Sequence, residues 1–121
     1  MAKILIIDDD KTMQSTCAAV LTNAKHLVTT ADNGFEGIES VRSDPPHLIL
    51  MDMVMRYGGL STLRVLREQF PGIRVIMMSG TEKTRLEIAR GIGASRVIAK
   101  PFSAEQLLTL VNEALAEMGE N

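Results

Sequence analysis

Several short stretches of this chain carry no polar face. Ile4-Leu5-Ile6-Ile7, Leu48-Ile49-Leu50-Met51, Val75-Ile76-Met77-Met78 and the shorter Val97-Ile98-Ala99 are uninterrupted apolar runs. A strand of a parallel sheet reads this way when helices cover both of its faces. His26 to Ala31 predicts a further, more polar strand.

Between the runs the apolar residues change to helical spacing. Met13, Cys17, Val20, Leu21 and Ala24 predict an amphipathic helix from about Lys11 to Ala24, with Asp10 placed to cap it. Asn33-Gly34-Phe35-Glu36 resembles a capping box opening a helix that buries Phe35, Ile38 and Val41 and stops at Asp44-Pro45-Pro46. Arg56-Tyr57-Gly58-Gly59 predicts a turn, and Leu60, Leu63, Leu66 and Phe70 predict a helix closed by Pro71-Gly72. The fourth strand starts near Ile73, and Gly80-Thr81 leads into a helix with Leu86, Ala89 and Ile92 inward, ending at Gly93. Ser103 to Gln106 is a second capping box, before a helix with Leu107, Leu108, Val111, Ala114, Leu115 and Met118 in one stripe. Five strands alternating with five helices imply one doubly wound, all-parallel sheet joined by right-handed crossovers. The expected order is 2-1-3-4-5, that of a flavodoxin-like α/β fold.

The chain has 121 residues, 45% of them hydrophobic, with a mean hydropathy of +0.10, which fits a single domain over residues 1–121 with a substantial core. A formal charge of -2 and a pI near 5.7 offer no basic field, so no direct nucleic-acid binding is expected. The lone Cys17 lies on a helix face, where a small buried side chain is the ordinary reading, and it has no partner for a disulfide within the chain. Only the short run Ile4 to Ile7 precedes the acidic residues, too little for a signal peptide or a membrane span. The expected location is cytoplasmic, with no membrane partner.

Polar residues enter at the carboxyl ends of the strands. Asp8-Asp9-Asp10 follows the first run, Asp52 the third strand, Ser79 the fourth and Lys100 the fifth. Each alone reads blandly: Asp10 as a cap, Ser79 as a turn residue, Lys100 as a surface lysine, the methionines near Asp52 as core filling. Together they end four strands on one edge of one sheet, and Asp8, Asp9 and Asp52 converge where the strand order reverses, the usual ligand crevice of such folds. Crowded carboxylates must take up protons or share a cation. Oxygen-only ligands select a hard ion, and Mg2+ suits a site that also receives phosphate. Phosphoryl transfer needs an in-line nucleophile and surrounding positive charge, so Asp52 is the candidate nucleophile, with Lys100 and the metal supplying charge.

The ordered set resembles the receiver domain of bacterial two-component response regulators across essentially the whole chain. It consists of Asp8-Asp9, Asp52, Met77-Met78-Ser79-Gly80, Gly93-Ala94 and Lys100-Pro101-Phe102. The resemblance implies that Asp52 accepts a phosphoryl group from a phosphohistidine of a sensor histidine kinase or histidine phosphotransfer protein. It implies that Asp8, Asp9, Asp52 and the Val54 backbone carbonyl hold Mg2+. Ser79 would turn its hydroxyl to the phosphoryl group, Lys100 would pair with it, and the Lys100-Pro101 bond would be cis. The protein would be a phosphoacceptor switch that assists its own phosphorylation and dephosphorylation, not a turnover enzyme. Its signal would reach a downstream effector protein or output domain through the face of helix 4, strand 5 and helix 5, where Arg85, Arg90 and Arg96 would meet an acidic partner. Homodimerisation through that face is also allowed. Two positions depart from the family pattern: Arg56 stands where proline is usual in a loop one residue shorter, and Val97 where Tyr or Phe is usual. Val97 is too small and too restricted in rotamer to serve as the family's aromatic switch, so activation is expected to move Gly80 to Lys83 instead.

Two rival readings share parts of the pattern. Asp8-Asp9-Asp10-Lys11-Thr12 also fits the Asp-x-Asp-x-Thr of a small Mg2+-dependent phosphohydrolase resembling the haloacid dehalogenase family, but no Asp follows Asp52 to complete its metal site. A flavodoxin-like electron carrier needs a hydroxyl- or glycine-rich loop after the first strand and aromatics for the flavin. This chain offers an acidic loop, Tyr57 and three Phe.

Overall fold

The computed structural model describes residues 1–55, 58–80 and 83–119, apart from the side chains of 83–86 and 118–119. Its elements alternate throughout: β1 (Lys3–Ile7), α1 (Lys11–Asn23), β2 (Leu27–Ala31), α2 (Gly34–Ser43), β3 (Leu48–Asp52), α3 (Gly59–Gln69), β4 (Arg74–Ser79), α4 (Lys83–Ile92), β5 (Arg96–Ala99) and α5 (Ala104–Gly119). The strands form one sheet in the order β2-β1-β3-β4-β5, every neighbour parallel, as the sequence predicts.

The period of two along each strand divides the core into two layers. Leu5, Ile7, Ile49, Met51, Val75 and Met77 face one side, where Val41 of α2, Leu63 and Leu66 of α3 and Ala89 of α4 cover them. Ile4, Ile6, Leu48, Leu50, Ile76 and Met78 face the other, under Cys17 and Leu21 of α1 and Leu107, Val111 and Ala114 of α5. Because both faces are covered, the central strand β3 is buried at all five positions, Asp52 included. Cys17 is a buried free thiol, and burial, with the nearby Asp8 charge, pushes its pKa up to about 11, so it behaves as an inert core residue. Among the described residues, no helix is long and apolar enough to cross a membrane.

The caps follow the sequence closely. Asp10 accepts from the amides of Thr12 and Met13 at 2.9 and 3.2 Å, a contact of the kind that contributes about 1 kcal/mol to a helix. Ser103 and Gln106 form a reciprocal capping box at 2.8 and 3.0 Å. Asn33 caps α2 by accepting from the Glu36 amide at 2.9 Å, but the Glu36 carboxylate bonds the Asn33 side chain and not its backbone.

Phe35 is not buried: it is 68% exposed, and the inward face of α2 is Gly34, Gly37 and Val41. A Cβ on Gly37 would stand 2.4 Å from Ile7 Cδ1, and one on Gly34 2.0 Å from Thr62 Oγ1. The two glycines let α2 settle close against β1 and α3, and that phase turns Phe35 outward. Ile38 stays partly buried beside them. The expected turn residues Arg56 and Tyr57, the inward placement of Leu86 and Met118, the Arg85 side chain, and residues 81–82 with the Lys83 side chain lie outside the described residues.

Candidate functional site

Asp8 follows β1, Asp52 ends β3, Ser79 ends β4 and Lys100 follows β5. The register aligns Ile7 with Met51, Asp52 with Met78, and Ser79 with Ala99, so these four positions lie along one edge of the sheet. β3 and β5 are separated by β4, about 10 Å at ordinary strand spacing, so only a long side chain from β5 can reach Asp52. Lys100 makes that crossing, and its Nζ donates to Asp52 Oδ1 at 2.8 Å. The turn that aims it is fixed by the Lys100 amide donating to the Ser79 carbonyl at 2.7 Å, and the Lys100-Pro101 bond is cis, as the family resemblance implies. Ser79 lies between the two partners on β4 and is 3% exposed.

Asp52 also accepts at Oδ2 from the Val54 amide at 3.2 Å. The segment after it alternates, with Met53 and Met55 buried in the core and Val54 62% exposed. This bears out the methionines as core filling. Gly59 lies so close to the same segment that an added Cβ would be 2.5 Å from the Asp52 carbonyl oxygen and 2.6 Å from that of Met53.

Asp8 is the most enclosed carboxylate, with no exposed surface. Its Oδ1 accepts from the Asp10 amide at 2.9 Å, while Oδ2 is buried without a hydrogen-bond partner and lies 3.9 Å from Lys100 Nζ. Burial pushes the Asp8 pKa up to about 6 against the opposing Asp10 hydrogen bond, and the charge of Asp52 adds to the rise. Burial alone would lower Lys100, but its hydrogen bond to Asp52 and the charges of Asp52 and Asp8 outweigh this and raise its pKa. Lys100 therefore stays an ammonium. Asp8 and Asp52 share this one ammonium, at 3.9 and 2.8 Å.

Carboxylate oxygens of Asp8, Asp9 and Asp52 lie within 4.8 Å of one another, so this group could hold a metal ion. The orphaned Asp8 Oδ2 fits that use, since a buried carboxylate oxygen otherwise costs stability. Ligation by oxygens alone fits a hard cation.

The residues singled out in the sequence, Asp8, Asp9, Asp52, Ser79 and Lys100, all belong to this edge. Gln14 was not among them. It is buried in α1 and its side-chain amide donates to the Asp8 carbonyl at 2.6 Å. The sequence carried a signal: Gln14 shares a helix face with Cys17 and Leu21, and a polar residue in core phase must find a buried partner.

Arg96 is already paired within the chain. Its guanidinium pairs with Glu113 at 3.6 Å and with Glu117, both on α5, and Glu117 also lies 4.0 Å from Arg74. Arg90 is exposed. Val97 is partly buried against the core layer under α2, α3 and α4.

Comparison with known proteins agrees with this geometry. The sequence model for the response regulator receiver domain matches residues 4–112. Protein PilH of Pseudomonas aeruginosa is 32% identical over 96% of this chain and 99% of its own length. The chemotaxis protein CheY of Bacillus subtilis is 31% identical over 93% of this chain and 97% of its own. Among solved structures, a CheY-like response regulator receiver domain protein from Methanospirillum hungatei superposes with a TM-score of 0.94 at 25% identity, covering 99% of this chain and 98% of that one. The receiver domain of NtrX from Brucella abortus gives a TM-score of 0.89 at 28% identity, over 93% of this chain and 98% of that one. Longer NtrX structures also match, and this chain spans 27% to 28% of their length. The phosphohydrolase reading gains no support from these likenesses.

Proposed function

The chain belongs to the response regulator receiver domain family, and from that membership we propose that Asp52 is its phosphoacceptor. The phosphodonor is a phosphohistidine of a sensor histidine kinase or histidine phosphotransfer protein. A carboxylate oxygen of Asp52 attacks phosphorus in line, the P–N bond breaks, and the imidazole leaves with the electron pair and takes up a proton from solvent. Asp52 becomes an aspartyl phosphate.

The observation that carries this reading is the 2.8 Å contact of Lys100 Nζ with Asp52 Oδ1 beside the buried Asp8 Oδ2, which accepts no hydrogen bond. Lys100 orients Asp52 and supplies a fixed positive charge toward the transferred oxygens. Asp8, Asp9, Asp52 and the Val54 carbonyl would hold Mg2+, which when bound supplies positive charge to offset the acidic cluster and the incoming phosphoryl group. The Val54 amide, already at Asp52 Oδ2, holds the acceptor in place. The Ser79 hydroxyl accompanies the phosphoryl group and begins the switch. The signal leaves through the face of α4, β5 and α5 to an effector protein, an output domain or a second copy, in the cytoplasm. Arg96 is held by Glu113 and Glu117, and the exposed Arg90 is open to an acidic partner without breaking those pairs. The chain acts as a switch, not a turnover enzyme.

Incubation with a small phosphodonor and Mg2+ is expected to add one phosphoryl group per chain, and EDTA is expected to abolish the reaction. Intact-mass spectra reading the same label in EDTA would overturn the metal-assisted mechanism.

A further inference from the structure

The amide of Gln14 is 5% exposed and reaches three oxygens: the Asp8 carbonyl at 2.6 Å, Asp32 Oδ1 at 2.9 Å and the Ala31 carbonyl at 3.1 Å. An amide NH2 has two hydrogens, so the three acceptors share them, with the shortest contact to Asp8. The Asp8 N–H donates to the same Ala31 carbonyl at 3.1 Å, and Asp8 Oδ1 accepts from the Asp10 amide at 2.9 Å. Asp8 is therefore gripped at its N–H, its carbonyl and one carboxylate oxygen, while Oδ2 is left without a hydrogen bond inside the acidic cluster.

We infer that Gln14 is a positioning residue for the metal-holding carboxylates, fixing the turn after β1 through the Asp8 carbonyl so that Asp8 Oδ2 and Asp9 are aimed before a cation arrives. The inference rests on the reading of Asp8 and Asp9 as Mg2+ ligands. Groups that orient ligands without touching the metal commonly change its affinity by 10- to 100-fold when removed. Gln14 does this from a helix, because α1 packs across the ends of both β1 and β2. Of its two backbone acceptors, Ala31 is the last residue of β2 and Asp8 is the residue just past β1, so the clamp sets the turn against the sheet.

The test is a Mg2+ titration followed by backbone amide NMR shifts on three chains. These are the wild type, Gln14→Met, which keeps the side chain's length without its donors, and Val41→Ala, which opens a cavity in the core under α2. Gln14→Met is expected to raise the Mg2+ dissociation constant roughly tenfold, while Val41→Ala lowers the melting temperature and leaves it unchanged. Phosphodonor labelling of Gln14→Met should be slow at limiting Mg2+ and recover at saturating Mg2+. If Gln14→Met loses the fold, Gln14→Asn, whose amide is one methylene short, carries the same expectation. Equal affinity in the wild type and the Gln14 variant would overturn the inference, as would equal weakening in Gln14→Met and Val41→Ala. A wild-type chain that binds no Mg2+ would overturn the functional reading beneath it.

Discussion

Gly59→Ala is expected to lower the stability of the protein by about 3 kcal/mol, the upper part of the range for forcing extra atoms into a packed interior. The added Cβ would meet the Asp52 carbonyl oxygen at 2.5 Å, the Met53 carbonyl oxygen at 2.6 Å and Met53 Cα at 2.7 Å. All three are backbone, so no side chain can turn aside, and either α3 or the segment carrying Asp52 must move. The Gly59 amide donates to the Met53 carbonyl at 3.2 Å, and this contact would go with it. For a chain of this size the loss corresponds to a fall in Tm of roughly 10 °C. Gly72→Ala is the internal control: nothing lies within 4 Å of its added Cβ, and its stability should change by no more than about 1 kcal/mol. Equal urea midpoints for Gly59→Ala and the wild type would show that α3 does not press on the acceptor segment.

Asp8→Asn is expected to stabilise the metal-free protein at pH 7 by about 3 kcal/mol, following from a pKa of about 6 in the fold against 3.8 for an ordinary carboxyl. The sign follows from proton binding. Between those two values the folded state holds the Asp8 proton and the unfolded state releases it, so stability falls as pH rises through that window and the full Asp8 penalty is in place above it. Asparagine carries no charge to bury and can keep the contact to the Asp10 amide. The advantage of the variant should therefore shrink toward zero as the pH approaches 4. Excess Mg2+ should raise the melting temperature of the wild type and have little effect on Asp8→Asn, because only a cation that binds the folded state stabilises it. Melts at pH 7 without metal in which Asp8→Asn is the less stable chain would make Asp8 a structural cap and not a crowded ligand.

β1, β3 and β4 were legible because burial on both faces leaves no polar position inside them. Asp8, Asp52, Ser79 and Lys100 were legible because a polar residue ending such a run must lie at the sheet edge, and four of them fall on the same edge. Phe35 was misplaced because helical spacing gives a stripe but not how closely the helix approaches. Gly34 and Gly37 bring α2 in close, and the large ring is left outside. The pairing of Arg96 with Glu113 and Glu117 joins β5 to α5 across a sequence gap that no local pattern spans. Gln14 stayed hidden for a different cause: its spacing was visible, but two of its three partners are backbone carbonyls, which leave no mark in a sequence.

The central claim is that Asp52 is the phosphoacceptor, and intact-mass analysis of the wild type beside Asp52→Asn tests it most directly. After incubation with a small phosphodonor and Mg2+, the wild type is expected to gain one base-labile phosphoryl group and the variant none, since asparagine lacks the carboxylate that must form the acyl phosphate. A variant labelled to the same extent as the wild type would contradict the account.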